Sequence, residues 1–168
     1  MKAPEPVLNE RNNAMALEVG SKAPAFNLPT DGGGSLSLKE LKGKAVVLYF
    51  YPKDSTPGCT NEAKDFRDLN DKFQKAGAVV VGASKDSVKR HDNFKAKNEL
   101  PFTLISDEEG VLCDAYGVWI LKKLYGREYM GIERATFLID GKGVVRRVWH
   151  KVKVKGHAEE VLDALISL

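Results

Sequence analysis

The sequence has few cysteines, and this scarcity argues against a fold held together by disulfides. Cys59 and Cys113 are the only two among 168 residues, whereas small disulfide-dependent domains carry more. Two isolated thiols suit a reducing compartment. Residues 1–6 lack the apolar segment of a secretion signal and are not rich in Arg and Ser like a transit peptide. We therefore expect a cytoplasmic protein.

Features of three other protein classes are also missing. No apolar run approaches the roughly 20 residues of a membrane span. The three histidines, His91, His150 and His157, are far apart, and no Cys/His spacing is typical of a metal site. The 26 basic and 23 acidic residues give a net charge of only +3, which does not favour nucleic-acid binding. We therefore expect no membrane, metal or nucleic-acid partner.

What the sequence does contain is typical of a globular protein with one domain. Hydrophobic residues make up 43% and charged residues 29% of the chain, an ordinary balance for a packed core. The length corresponds to one domain and a short tail. Residues 1–18 are polar and show no clear period, which predicts a flexible N-terminal tail before a domain over residues 19–168.

The pattern of apolar runs predicts an α/β fold. Short β-rich runs at 45–51, 78–83 and 102–105 are typical of buried strands. Helical patterns over 57–77 and 86–98 separate them, and this β-α-β-α-β order builds a parallel sheet. Two later strands, at 135–139 and 144–149, are joined by a tight turn and therefore pair antiparallel. With a closing helix over 157–168, the prediction is a thioredoxin-like fold, a mixed central sheet flanked by helices.

The segment from Tyr51 to Thr60 contains the most informative residues. It joins a buried strand to a long helix, and Cys59 falls in the first turn of that helix, where unpaired N–H groups and the helix dipole stabilise a thiolate. Thr56 and Glu62 stand three positions before and after the thiol, which excludes Cys-x-x-Cys dithiol exchange. Position alone would fit a reactive cysteine and a buried, inert one equally well.

A family resemblance favours the reactive cysteine. Pro52, Thr56 and Cys59, in the spacing Pro-x-x-x-Thr-x-x-Cys, resemble the active-site motif of peroxiredoxins. Residues 49–60 and 131–140 resemble the PrxQ branch, also called bacterioferritin comigratory protein, and the likeness runs from about Gly20 to the C-terminus. The resemblance implies a thioredoxin-like fold and the reduction of hydrogen peroxide and organic hydroperoxides by a thiol donor. It implies no metal, haem or flavin cofactor.

The same resemblance implies a role for each site residue. Cys59 would be the peroxidatic nucleophile, Thr56 would hydrogen-bond the peroxide, Pro52 would exclude water from the thiolate, and Arg134 would reach the same pocket. These roles agree with the chemistry, because a guanidinium stabilises both the thiolate and the charge that grows on the leaving oxygen. The implied reductant is thioredoxin, glutaredoxin or a small thiol, and the implied assembly is a monomer or weak homodimer.

This sequence departs from the PrxQ pattern at the resolving cysteine. Many members carry that cysteine five residues after the peroxidatic one, where this chain has Lys64, and others carry it on the next helix, which here contains none. Cys113 is the only other thiol, and its apolar surroundings are more typical of a buried residue than of a resolving one. We therefore expect a one-cysteine cycle in which an external thiol reduces the sulfenic acid of Cys59.

Alternative functions also fit parts of the sequence. A thiol redox sensor that passes oxidation to a partner would use the same Cys59 chemistry, and a thioredoxin-like binding module would contain an unreactive Cys59. Glutathione peroxidase shares the fold, but its motif is absent. Two weaker signals stay open. Residues 151–155 alternate like a lysine-guarded edge strand that could touch acidic partners. Trp119, Tyr125, Tyr129 and Met130 could line a hydroperoxide pocket or a dimer patch, although ordinary packing under a long loop is preferred.

Overall fold

The computed structural model describes residues 7–9 and 14–168. Its strands and α-helices are β1 (Val7–Asn9), β2 (Ala14–Ala16), β3 (Asn27–Pro29), β4 (Ser35–Ser37), β5 (Ala45–Phe50), α1 (Pro57–Lys75), β6 (Ala78–Ser84), α2 (Val88–Asn98), β7 (Thr103–Ser106), α3 (Val111–Ala115), β8 (Trp119–Leu124), β9 (Arg127–Ile132), β10 (Ala135–Ile139), β11 (Val145–Trp149) and α4 (His157–Ile166). Within this part of the chain, no helix is both long enough and apolar enough to cross a bilayer.

The central sheet has five strands in the order β11-β10-β5-β6-β7. β5, β6 and β7 run parallel, whereas β10 pairs antiparallel with both β5 and β11. Helices follow β5 and β6 as crossovers, as right-handed β-α-β units require. The predicted thioredoxin-like fold with a mixed central sheet is confirmed.

The strand β5 separates two hydrophobic cores. Val47, Tyr49 and the following Tyr51 point into a core with α1, α2 and α4. Val46, Leu48 and Phe50 point to the opposite face, into a core that includes α3. Since successive side chains of a strand point to opposite faces, both sets are buried, and the run is therefore apolar without alternation.

The segment before β10 is a β-hairpin, where the sequence predicted a long loop. β8 pairs with β9 from Trp119 opposite Ile132 to Leu124 opposite Arg127. The two turn residues, Tyr125 and Gly126, have φ of 50° and 74°, the double positive φ of a type I′ turn. Tyr-Gly is a weaker signal for this turn than Asn-Gly, which explains why the hairpin was missed.

The predicted edge strand at residues 151–155 is wrong. Lys151 has a φ of 48°, and no strand is assigned between β11 and α4. The segment is a connection that contacts the start of β10, since the Val152 N–H donates to the Arg134 carbonyl at 2.9 Å. The alternation of Lys and Val there does not report a sheet edge.

The predicted tail is only partly visible. Residues 1–6 and 10–13 lie outside the described residues, and between them β1 pairs antiparallel with β2. The division into a flexible tail over 1–18 and a domain over 19–168 therefore stays a prediction.

One glycine of the sheet has no room for a side chain. Gly82 lies opposite Tyr49 in the β5–β6 register, and a Cβ there would come within 2.9 Å of Leu104 Cδ2 and 3.0 Å of Tyr49 Cζ. We expect Gly82→Ala to lower the free energy of unfolding by about 1–3 kcal/mol, because a packed core resists added volume. Urea denaturation measures this.

Gly34→Ala is the matched control. Its nearest contact would be ordinary, 3.5 Å to Thr30 Oγ1, and its φ is −88°. Equal stability losses in the two variants would contradict the steric explanation.

Candidate active site

The candidate site lies where β5 ends and α1 begins. Thr56 is the N-cap of α1 in extended conformation, Pro57 is its first residue, and Cys59 follows in the first turn. A proline is well tolerated there because the first N–H groups of a helix have no intrahelical partner. The Cys59 side chain is buried, with 1% of the residue exposed, and the thiol is free. Cys59 is thus held at the carboxyl end of a parallel strand, where sites of open α/β sheets gather.

Arg134 reaches this thiol from a distant part of the chain. Ala135, the first residue of β10, lies opposite Phe50, the last residue of β5, so the antiparallel register brings Arg134 to the end of the sheet where Cys59 lies. Arg134 Nη2 is 3.4 Å from Cys59 Sγ although the two residues are 75 positions apart. Arg134 therefore lies beside the Cys59 thiol, and its role in the reaction stays a prediction.

The same guanidinium binds a buried carboxylate. Arg134 Nη1 donates to Glu62 Oε1 at 2.7 Å, and Glu62 is 1% exposed. Burial raises the pKa of Glu62 to about 7 despite the opposing charge and hydrogen bond of Arg134. Its second oxygen, Oε2, has no hydrogen-bond partner among the described residues, which is consistent with this shift. Burial lowers the pKa of Arg134, but Glu62 and Cys59 raise it by more, so Glu62 is the member of the pair that titrates.

The glycine before Cys59 makes room for the guanidinium. A Cβ on Gly58 would lie 3.2 Å from Arg134 Nη2, closer than side-chain contacts usually are. Only glycine therefore lets Arg134 pass over the first turn of α1 undisturbed. Sequence analysis did not single out this residue or Glu62.

Thr56 and Pro52 occupy the loop on the approach to Cys59. The Thr56 hydroxyl donates to the Lys53 carbonyl at 2.8 Å. Pro52 borders a cavity of about 430 Å³ beside the loop. The other lining residues are Lys53, Lys85, Asp86, Trp119, Lys122, Tyr129, Met130, Gly131 and Ile132.

The β8–β9 hairpin supplies most of that cavity wall. Trp119, Tyr129 and Met130 line it, whereas Tyr125 sits at the hairpin turn and is 95% exposed. Burial and the charge of Arg134 lower the pKa of Lys122, while Cys59 raises it. The cavity therefore lies within electrostatic reach of the thiol. That the cavity accepts a hydroperoxide stays a prediction.

A buried polar cluster beneath the loop was missed by sequence analysis, which noted His91 only as an isolated histidine. One carboxylate oxygen from each of Asp54 and Asp86 and one ring nitrogen of His91 lie within 4.8 Å of one another. Both ring nitrogens of His91 already contact protein oxygens, Asp54 Oδ2 at 2.6 Å and the Ile105 carbonyl at 2.8 Å. The cluster therefore does not fit a metal ion, since a ligating histidine needs one free nitrogen.

Cys113 lies on the other side of the molecule. It belongs to α3 and to the core on the opposite face of the sheet from Cys59. Its N–H donates to Asp107 Oδ2 at 2.9 Å. Burial, reinforced by Asp107, raises the pKa of the Cys113 thiol far above its usual range. A buried thiol of this kind is poorly reactive.

Comparison with known proteins finds relatives that match most of the chain. The AhpC/TSA family model matches residues 19–148. A putative peroxiredoxin Bcp of Coxiella burnetii is 60% identical over 151 residues, which cover 90% of this chain and 100% of that protein. Peroxiredoxin Bcp of Bacillus subtilis is 53% identical over 151 residues, covering 90% and 96%.

Solved structures of similar proteins match this chain in fold as well as in sequence. A structure of peroxiredoxin Q from Xanthomonas campestris has a TM-score of 0.81 and 50% identity, covering 84% of this chain and 90% of that one. A PrxQ variant from Xylella fastidiosa has a TM-score of 0.86 and 40% identity, covering 90% and 96%.

The raised pKa of Glu62 predicts a pH-dependent stability. The folded protein holds a proton on Glu62 between the ordinary pKa of 4.5 and about 7, and the unfolded chain does not. This contribution is complete below pH about 4.5 and is lost as the pH rises through about 7. Glu62→Gln cannot lose this contribution. Its free energy of unfolding relative to wild type should therefore rise by on the order of 1–3 kcal/mol between pH about 4.5 and about 7.

Urea titrations at a series of pH values measure this difference. Glu62→Gln keeps an amide oxygen that can accept from Arg134 Nη1 but has no titrating proton, so the slope with pH is diagnostic and a constant offset in stability is not. A flat difference across the window would contradict the titration of Glu62.

Proposed function

Because the chain belongs to the AhpC/TSA family, in its Bcp/PrxQ peroxiredoxin branch, it is a thiol-dependent peroxidase, and we propose that Cys59 is its peroxidatic residue. Its substrates are a peroxide and a thiol reductant. The observation that carries the assignment of Cys59 is the contact of Arg134 Nη2 with Cys59 Sγ at 3.4 Å. A fixed positive charge beside a thiol at a helix N-terminus favours the thiolate, which is the nucleophilic form.

The first step forms an S–O bond and breaks the O–O bond. The Cys59 thiolate attacks the terminal oxygen of the hydroperoxide, the hydroxyl transfers to sulfur, and the other oxygen leaves as an alkoxide or hydroxide that takes up a proton. Sulfur is oxidised to sulfenic acid and the peroxide is reduced to an alcohol or water. Arg134 stabilises this step because negative charge moves from sulfur to the leaving oxygen within its reach.

Thr56 and Pro52 prepare the approach to the thiol. The Thr56 hydroxyl already donates its proton to Lys53, so its lone pairs are free to accept a hydrogen bond from a peroxide O–H. Pro52 offers no backbone N–H, and it borders the cavity beside the loop. Together they would orient the peroxide and limit water around sulfur.

We propose that an external thiol completes the cycle. It attacks the sulfenic acid, releases water and leaves a mixed disulfide, which a second thiol reduces to regenerate Cys59. Cys113 is a poor internal partner, because the central sheet lies between the two cores that contain the cysteines and a disulfide needs Cα atoms about 4.4–6.8 Å apart. Thioredoxin, glutaredoxin or a small thiol would serve, and a reducing cytoplasm would supply them.

The first prediction separates the two cysteines. Cys59→Ser should abolish peroxide reduction, because a hydroxyl at this position is not ionised at neutral pH. Cys113→Ser should keep the fast first step, since its thiol is buried in the other core. Peroxide consumption with an added dithiol measures both. Turnover by folded Cys59→Ser would overturn the assignment.

The second prediction concerns the fate of the oxidised cysteine. After one equivalent of peroxide without added thiol, the sulfenic acid of Cys59 should persist and form a dimedone adduct, and excess peroxide should add a second oxygen. Intact-mass spectrometry detects both products. Quantitative formation of a Cys59–Cys113 disulfide in the wild type would contradict a one-cysteine cycle.

A cysteine introduced at Lys64 should change this outcome. Lys64 is exposed on α1, about one and a half turns beyond Cys59, so local unwinding could bring the two sulfurs together. Lys64→Cys should form an internal disulfide and resist over-oxidation. Lys72→Cys, exposed on the same helix but more than three turns from Cys59, is the matched control and should behave like wild type.

A further inference from the structure

The loop that presents Thr56 and Cys59 contains a strained residue. Ser55 has a φ of 64°, in the left-handed region that side chains other than Gly, Asn and Asp seldom adopt. Such a conformation is unfavourable and persists where the surrounding structure fixes it. The residue before it, Asp54, makes the contacts that fix the loop.

Asp54 is held from three directions. Tyr51 donates its hydroxyl to Asp54 Oδ1 at 2.6 Å, and His91 Nδ1 lies 2.6 Å from Asp54 Oδ2. The Asp54 N–H donates to Asp86 Oδ2 at 2.8 Å. Asp54 is 2% exposed and His91 is fully buried. Both the backbone and the side chain of the loop residue before Ser55 are therefore fixed to α2 and to the ends of β5 and β6.

The hydrogen-bond partners favour a doubly protonated His91. The Ile105 carbonyl only accepts, so Nε2 carries a hydrogen. Asp54 already accepts a hydrogen bond from the Tyr51 hydroxyl, and its other oxygen lies where it can accept one from a hydrogen on Nδ1. Burial alone would lower the pKa of His91, but the hydrogen bond and charge of Asp54, with smaller contributions from Ile105 and Asp86, raise it.

The charged and titratable groups that face His91 come from three places. Asp54 belongs to the loop, Asp86 follows β6, and the Tyr51 ring at the end of β5 lies 6.4 Å from the imidazole. Arg90, on α2, contacts Asp86 at 3.2 Å. An imidazolium here is therefore balanced chiefly by the Asp54 carboxylate.

We propose that the Asp54–His91 ion pair is a positioning device that anchors the strained loop, and so places Thr56 and the first turn of α1 for reaction with peroxide. The inference rests on the proposed role of Cys59. Among the described residues, neither Asp54 nor His91 forms a hydrogen bond or ion pair with Cys59 or Arg134, so we expect both to act through the loop. A buried ion pair is a poor means of gaining stability compared with apolar residues of similar size. Its value here is that it allows one loop conformation.

The test measures the rate constant of Cys59 oxidation by hydrogen peroxide, followed by tryptophan fluorescence in stopped flow on the full chain. Asp54→Asn and His91→Leu should each slow it by about 10- to 100-fold, the cost of misplacing reacting groups. His91→Asn should recover part of the loss, because its amide can donate to Asp54 in place of Nδ1. The combined Asp54→Asn/His91→Leu variant should be no slower than the worse single variant.

A pH profile separates positioning from general destabilisation. As the pH rises through the raised pKa of His91, the imidazolium and the ion pair are lost. The ultraviolet absorbance of the thiolate gives the thiolate fraction at each pH, and the measured rate constant is divided by that fraction. For wild type, this corrected rate constant should fall as the pH rises through the pKa of His91. For His91→Asn and Asp54→Asn it should not fall over the same range. Asn98→Ala is the matched control. It removes the buried Asn98 Nδ2 bond to Phe94 at the other end of α2 and should keep the wild-type rate and profile.

Two results would overturn the inference. One is wild-type rate constants in folded Asp54→Asn and His91→Leu, and the other is an equal loss in Asn98→Ala. If the single variants fail to fold, Asp54→Ala/His91→Leu removes both charges together and should fold but react slowly, so a wild-type rate in it would equally contradict the proposal. Failure of the proposed function is seen separately, as turnover by Cys59→Ser.

Discussion

The structure depends on one interaction, the placement of the Arg134 guanidinium between the Cys59 sulfur and the buried Glu62 carboxylate. The contact joins the beginning of β10 to the first turn of α1. Its position follows from the antiparallel register of β10 on β5, and the Val152 N–H bond to the Arg134 carbonyl fixes the backbone there. Gly58 leaves the necessary space. The guanidinium stays charged at physiological pH. It is thus held beside a thiol from which water is largely excluded, and its charge acts strongly on the sulfur there.

The central sheet places the two cysteines in different cores. Cys59 belongs to the core that contains α1 and α4, whereas Cys113 belongs to the core on the other face. The chemistry of Cys59 is therefore separated from that of the second thiol by a layer of packed strands. Because Cys59 is also buried, the proposed attack of an external thiol on it would need the first turn of α1 and its loop to move.

Much of this could be predicted from the sequence, for physical reasons that are visible in particular residues. The unbroken apolar run of β5 indicated burial on both faces, and the Pro52, Thr56 and Cys59 spacing predicted the candidate site at its end. Long-range pairing was harder. Arg134 was assigned through the family resemblance, because no local pattern states which strand pairs with β5. Glu62 and Gly58 are significant only because of Arg134, so they could not be singled out before it was placed.

The errors have equally local causes. The Tyr125-Gly126 turn is an uncommon type I′ sequence, so the hairpin that lines the cavity was predicted as a loop. The Lys-Val alternation of residues 151–155 matched a strand pattern, but the segment forms no strand in the described structure. The Asp54–His91 pair joins residues 37 positions apart through α2 packing, and no spacing rule reports such a contact.

The most direct test of the account is the rate constant for oxidation of Cys59 by hydrogen peroxide in Arg134→Ala. If the guanidinium stabilises the thiolate and the leaving oxygen, the variant should react about 10²–10³-fold more slowly than wild type while remaining folded. Arg134→Lys should recover little, since a point charge cannot bind Glu62 and sulfur together as the planar guanidinium does. Arg146→Ala, which removes an exposed arginine paired with Asp140, is the control and should react like wild type. A wild-type rate constant in folded Arg134→Ala would contradict the account.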